Sequence, residues 1–298
     1  MSLIESALER LKRARSSTAG ASSQLVAEKH RASGAVLDLP EERLHFGSKV
    51  VWPEARQSLT DVSGVRDKML GLEVTHDEVR RLDAELRAIR REVMSAIGES
   101  TQADGSRLSP VVVITSAVAG DGKSFMAFNL ARSMASEGLY EVLLVDGDSV
   151  KQTVTKNCDL QGKKGFINFL GDPAQDFMSL CVPTSLDRLH VLPAGVRTDR
   201  ASDLFSTGRV RAAFERFSHA LSGHVVIIDS PPLLLSSESP AMADAAGQVL
   251  LIVRAGVTLA DAVTESLGKI KENVPVGVVL NAWLPVLSAE KGAYLDYL

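Results

Sequence analysis

Val111-Val112-Val113-Ile114-Thr115-Ser116-Ala117-Val118-Ala119-Gly120-Asp121-Gly122-Lys123-Ser124 is the stretch from which the rest of the chain is read. Its first five residues are apolar or β-branched, the pattern of a strand buried on both faces. A run of small residues follows, and a helix-forming segment then extends from about Lys123 to Glu137. Small residues let a backbone curl around phosphate oxygens without side-chain collision. At such a strand–helix junction Lys123 reaches the β- and γ-phosphates, the Ser124 hydroxyl ligates magnesium, and the helix N-terminus favours the anion. The expectation is a phosphate loop over Ala117–Ser124 that holds ATP with Mg2+. Ala119, Gly120, Asp121, Gly122, Lys123, Ser124 and Phe125 are the expected nucleotide contacts. Ala117 stands where the usual loop has glycine.

Further along the chain, uninterrupted apolar runs alternate with helix-length segments. Glu141–Val145, His190–Leu192, Val225–Ile228, Val249–Val253 and Val276–Leu280 read as strands. Runs of this kind predict an α/β fold, with a mainly parallel sheet covered by helices on both faces. Ligands in that architecture bind at the carboxyl ends of the strands. The order of the strands in the sheet is not readable from the pattern.

Two of these strands end in carboxylates. Leu143-Leu144-Val145-Asp146-Gly147-Asp148 brings Asp146 to a strand end with Asp148 two residues on, and Ile227-Ile228-Asp229-Ser230-Pro231-Pro232 delivers a third acid. An acid after an apolar strand can simply cap a turn. Beside a phosphate loop, magnesium coordination by Ser124, Asp146 and Asp229 is the stronger reading. Lys123, Asp146 and Asp148 are the expected catalytic groups, one of the aspartates orienting or deprotonating the incoming hydroxyl.

The flanks are less regular. Residues 1–72 read as an N-terminal amphipathic helix, carrying Ile4, Ala7, Leu8 and Leu11, followed by a flexible or partner-binding segment. Residues 73–285 form the nucleotide-binding domain, and 286–298 a tail ending Tyr294-Leu295-Asp296-Tyr297-Leu298. Near Thr75 a helix begins whose Val79, Leu82, Leu86, Ile89 and Val93 share one face, with Arg80, Arg81, Arg87, Arg90 and Arg91 on the others. A formal charge of −4 argues against a nucleic-acid partner. Cys158 and Cys181 lack metal-ligand spacing and read as packing residues of a reducing compartment. No run approaches the roughly 20 apolar residues of a membrane span, so a cytoplasmic chain is expected.

Taken together, these motifs resemble the cytoplasmic domain of the bacterial tyrosine autokinases (BY-kinases) of exopolysaccharide biosynthesis, within the MinD/ParA-like P-loop ATPase group. The resemblance runs from roughly Leu82 to Ala282 and rests on Gly120-Asp121-Gly122-Lys123-Ser124, Asp146/Asp148 and Ile228-Asp229-Ser230-Pro231-Pro232. Ala117 and Val118 stand where partitioning ATPases carry an extra lysine. The resemblance implies that Asp146 and Asp148 serve magnesium organisation and hydroxyl activation. It also implies a tail whose tyrosines are phosphorylated in trans, here Tyr294 and Tyr297, and a separate membrane-bound polysaccharide co-polymerase as activator, which would bring the chain to the inner face of the membrane. A homo-oligomeric ring would use Arg87 and Arg90, although Ala84 fills the family's acidic position and Glu85 lies next to it. The family's basic residue after the middle motif is displaced, Ser149 and Val150 preceding Lys151.

The implied activity is ATP-dependent autophosphorylation on tyrosine that regulates exopolysaccharide polymerisation or export. Two other readings stay open on sequence grounds. One is an ATPase switch without kinase activity, motivated by the sparse tail. The other is a nucleotide-binding scaffold of the polysaccharide machinery, motivated by Ala117, Phe125 and Val150.

Overall fold

The computed structural model describes residues 59–70, 76–99, 110–172, 174–196, 201–221 and 224–282. All lie in the larger of two compact units, Gly47–Leu298. The expected helix at 1–15, the linker that follows it, and the tail tyrosines Tyr294 and Tyr297 lie outside the described residues.

The strands are β1 (Val111–Ser116), β2 (Glu141–Asp146), β3 (Val182–Pro183), β4 (Leu189–Leu192), β5 (His224–Asp229), β6 (Gln248–Arg254) and β7 (Val276–Asn281). Six begin and end within about a residue or two of the apolar runs. In the inner strands burial on both faces leaves no polar interruption, whereas the edge strand β7 leaves Val278 and Leu280 exposed. The sequence reading missed β3, which is two residues long and pairs antiparallel with β4. The sheet runs β3-β4-β2-β5-β1-β6-β7, and all its other pairings are parallel. An α/β fold with a mainly parallel sheet is thus the observed class.

Alternating strand residues face two separate cores. Val112, Ile114, Val142, Leu144, Val225 and Ile227 meet one group of helices: α1 (Val65–Leu70), α2 (His76–Glu99), α3 (Lys123–Ser136) and α4 (Thr153–Asn157). Val111, Val113, Leu143, Val145, Val226 and Ile228 meet the other: α5 (Phe166–Gly171), α7 (Thr207–Ala220), α8 (Glu238–Ala245) and α9 (Ala260–Leu267). A four-residue turn of helix, α6 (Ala201–Leu204), precedes α7. The second core includes a phenylalanine cluster in which Phe177 meets Phe217 edge-on at 4.9 Å between ring centroids. That geometry suits the ring quadrupoles.

On α2 the apolar stripe faces inward as its period requires, with Leu86 and Val93 fully buried. Residues 59–70, which the sequence reading grouped with the N-terminal segment, pack on this same side. Val62 and Val65 are buried there, and Thr60 bridges Thr184 beside β3. Both cysteines are buried, and burial pushes the Cys158 thiol up to about 12. Tyr140 is half-buried against the first core, just before β2. Among the described residues no helix is long and apolar enough to cross a membrane.

Strand order decides where the chemistry lies. β5, more than a hundred residues downstream of β1, is inserted between β1 and β2. In parallel register Asp146 stands directly opposite Asp229, and Asp229 opposite Ile114 of β1. The phosphate loop and all three carboxylates therefore converge at one edge of the sheet.

Candidate active site

The loop leaving β1 turns on two glycines in the left-handed region, Gly120 and Gly122, each at φ 95°. A side chain at Gly122 is excluded twice over. The conformation disfavours it, and a Cβ there would overlap the Asn281 amide from the end of β7. Asn281 Nδ2 donates to the Asp121 carbonyl at 2.8 Å, and Thr258 Oγ1 donates to Asp121 Oδ1 at 2.7 Å. The Asp121 side chain is buried and engaged in holding its own loop. Ala119 and Gly120 are exposed on the rim, and Phe125 is half-buried in the first turn of α3.

Lys123 is buried and points at the carboxylates. Its Nζ lies 3.0 Å from Asp148 Oδ2, 3.6 Å from Asp229 Oδ1 and 3.2 Å from Ser124 Oγ. Burial works to lower its pKa, but Asp229 and Asp148 together outweigh burial and hold the ammonium above its ordinary value. Asp146 accepts from the Thr155 amide at 2.8 Å and from the Asp148 amide at 3.2 Å. Burial first, then the charge of Asp229, raises its pKa to about 7. Asp148 accepts from the Val150 and Lys151 amides through its other oxygen.

Asp229 differs from the other two. It is fully buried, and neither carboxylate oxygen has a hydrogen-bond partner among the described residues. Burial raises its pKa, opposed by the charge of Lys123. A buried carboxylate without hydrogen bonds is costly unless a cation offsets it. Lys123 at 3.6 Å does so here, and a magnesium ion would do so once the lysine turns to phosphate. Among the described residues no group of three or more His, Cys, Asp or Glu could by itself hold a metal. Magnesium does not need one, since it commonly takes one or two carboxylates and completes its shell with phosphate oxygens and water. Ser124, Asp146 and Asp229 fit that requirement.

Sequence reasoning missed the residues that make this convergence possible. Gly147 donates its amide to the Asp229 carbonyl at 2.8 Å. A Cβ on it would press on that same oxygen and on the Met242 sulfur, each at 3.0 Å. Glycine between two acidic residues was a visible signal of close backbone approach. Thr155, which links Asp146 to the Ala194 amide at 2.8 Å, carried no such signal.

The arginines of α2 divide in their surroundings. Arg87 is exposed. Arg90 instead ties α2 to the end of α3, reaching Glu137 Oε1 at 2.7 Å and the Ser133 carbonyl at 3.1 Å. An arginine held within the chain is a poorer donor to a neighbouring subunit than Arg87. Val150 and Lys151, which follow the middle motif, are both exposed.

The carboxylates make the site sensitive to pH. The folded value of Asp146, about 7, lies above its ordinary 3.8, so the native state holds an extra proton between those values. Stability without ligand falls as pH rises through that window, because the native state binds more protons than the unfolded one. A metal must displace that proton. Magnesium–nucleotide affinity should therefore rise with pH and level off near 7, with net proton release below it. Calorimetry in buffers of different ionisation heat measures the release, and Asp146→Asn should diminish it. An equal release from that variant would rule Asp146 out as the source.

No protein-family model matches the chain. The tyrosine-protein kinase CpsD of Streptococcus agalactiae is 27% identical over 205 residues, covering 67% of this chain and 86% of CpsD. The solved tyrosine kinase domain of BceF superposes with a TM-score of 0.54 at 25% identity, covering 66% of this chain and 76% of that domain. The kinase domain of the Escherichia coli tyrosine kinase Etk shares the fold, with a TM-score of 0.60 at 22% identity over 69% of this chain and 77% of that domain. The stretch shared with these proteins holds the phosphate loop, the strand-end aspartates and the sheet that brings them together, and over it the chain is similar to bacterial tyrosine kinases.

Proposed function

We propose that this protein transfers the γ-phosphoryl group of MgATP to tyrosine hydroxyls of its own kind, with Tyr294 and Tyr297 as acceptors. The observation that carries the reading is the convergence of Lys123, Asp146, Asp148 and Asp229 beside an open phosphate loop. In the reaction the tyrosine oxygen forms a bond to the γ-phosphorus, the bond from that phosphorus to the bridging oxygen breaks, and ADP leaves with the electron pair. Asp148 accepts the hydroxyl proton. Lys123 moves from the carboxylates to the β- and γ-phosphates, where it offsets the charge that develops during transfer. Ser124, Asp146 and Asp229 hold magnesium, which when bound neutralises phosphate charge and orients the transferring group. The backbone of residues 117–124 cradles the remaining phosphate oxygens.

The resemblance to bacterial tyrosine kinases supports a wider setting. The chain would act in the cytoplasm at the membrane's inner face, recruited by a membrane-bound co-polymerase, and would regulate exopolysaccharide polymerisation or export. It would work as a homo-oligomer that presents one subunit's tail to another's site, with Arg87 available to the interface.

Incubation with γ-labelled ATP, magnesium and the cytoplasmic segment of a candidate activator tests the reading. Label should appear on tyrosine and disappear in the Tyr294→Phe/Tyr297→Phe protein. Release of free phosphate with no labelled protein would sink the kinase reading and leave the ATPase switch.

A further inference from the structure

A second set of buried polar groups lies behind the carboxylates. Ser149, next to Asp148, is 1% exposed, and Glu238, in the first turn of α8, is 6% exposed. The Ser149 hydroxyl donates to Glu238 at 2.9 Å from Oε1 and 3.0 Å from Oε2. The residue after Glu238 extends the contact. Ser239 Oγ lies 2.8 Å from Ser230 Oγ in the Asp229 loop and 3.1 Å from Thr115 Oγ1 at the end of β1. Thr115 in turn donates to the Pro231 carbonyl at 2.7 Å. One short segment of α8 thus touches both carboxylate-bearing loops and the end of β1, from which the phosphate loop leaves.

We propose that Glu238 is a positioning residue which, through the Ser149 hydroxyl, holds the Asp146–Asp148 loop in register with the Asp229 loop while Lys123 is engaged by nucleotide. The inference rests on the phosphoryl-transfer reading above. Before nucleotide arrives, Asp148 is tied to the phosphate loop by Lys123 at 3.0 Å, while its other contacts, from the Val150 and Lys151 amides, lie within its own loop. Lys123 cannot hold Asp148 and the phosphates together, so the loop needs a second anchor during transfer. The Ser149–Glu238 contact supplies it. A hydrogen bond to a carboxylate is stronger than one between neutral groups, and a carboxylate in the first turn of a helix is further favoured by the helix dipole. The close approach of Gly147 to Asp229 shows how little displacement the two loops tolerate.

The test compares Glu238→Ala, Ser149→Ala, their double variant and Glu238→Gln, whose amide oxygen still accepts from Ser149. Two measurements are made: steady-state transfer kinetics, and calorimetric affinity for ATP with and without magnesium. Each alanine variant should lower kcat about tenfold or more, with KM for ATP little changed. Affinity for magnesium-free ATP should stay near wild type, because the phosphate loop is intact, while the gain in affinity on adding magnesium shrinks. Glu238→Gln should recover most of the rate, and the double variant should lose no more than either single one. If Glu238→Ala fails to fold, Ser149→Ala decides alone.

Unchanged kcat in both alanine variants would overturn the inference. So would a matching loss of magnesium-free affinity, or single effects that multiply in the double variant. If the wild type labels no tyrosine, the kinase reading falls. The inference is then judged on the magnesium-dependent gain in affinity, and an undiminished gain in the alanine variants would overturn it.

Discussion

Replacing Lys123 with methionine is expected to reduce phosphoryl transfer by about 100- to 1,000-fold, the loss seen when one preorganised transition-state donor is removed. Methionine matches the length of the lysine stem and so separates charge from packing. The same change should alter the ligand-free protein in a way that depends on pH. Lys123 is the cation beside Asp148 and Asp229, both buried. Removing one partner of a buried ion pair costs about 3 kcal/mol or more. Asp229, its carboxyl already raised by burial, can lessen that penalty by taking up a proton, so its folded pKa rises further. The native state of the variant then binds more protons than the unfolded chain, and its stability falls as pH increases. Thermal unfolding should therefore show a larger deficit against wild type at pH 8 than at pH 6. A deficit independent of pH would mean that Lys123 does not govern the ionisation of this cluster.

The other large effect is expected from Gly165→Ala, at a position no motif singles out. Gly165 sits just before α5, where a Cβ would overlap the Pro193 carbonyl and lie 2.8 Å from the Gly195 amide nitrogen. The obstacles are backbone atoms, so no side chain can swing aside. The Phe166 amide donates to that Pro193 carbonyl at 2.8 Å, and the Ile167 amide to the Ala194 carbonyl at 2.9 Å. Pushing the two segments apart would strain both bonds. A cost of about 3 kcal/mol is expected, the upper end for overpacking, which in a domain of this size lowers Tm by about 6–12 °C. The damage should also reach the site. Ala194 donates to Thr155 Oγ1, and the Thr155 amide donates to Asp146. Magnesium–nucleotide affinity measured well below the lowered Tm should weaken along with stability. A variant as stable as wild type would show that the turn yields more readily than its hydrogen bonds suggest.

The contrast between these two positions explains how much could be read in advance. Lys123 lies in a local pattern, a buried strand followed by small residues and a helix, and each part of it is a preference of neighbouring residues. Asp146 and Asp229 were visible for the same reason, as acids ending apolar strands. Gly165, Thr155, Glu238 and Asn281 act on parts of the chain far from them in sequence. Asn281 meets Asp121 across 160 positions, and Glu238 meets Ser149 across 89. Asp121 shows the limit from the other side. Its place in the loop was legible, but its carboxylate turned toward Thr258, which no local pattern could indicate. Arg90 likewise matched an interface pattern and is found tied to α3.

The amino-acid sequence by itself determined six of the seven described strands, the alternation of strands with helices, the strand–loop–helix junction and the identity of the acids at the strand ends. Hydrophobic periodicity and backbone freedom act over a few residues, so they can be read from a few residues. Tertiary structure alone decided that β5 enters between β1 and β2, which sets Asp229 opposite Asp146. It also decided that Lys123 rests on two carboxylates and that α8 touches both carboxylate-bearing loops and the end of β1. Those outcomes depend on which buried faces pack together. That choice is made by the whole core at once, and no segment of the chain carries it alone.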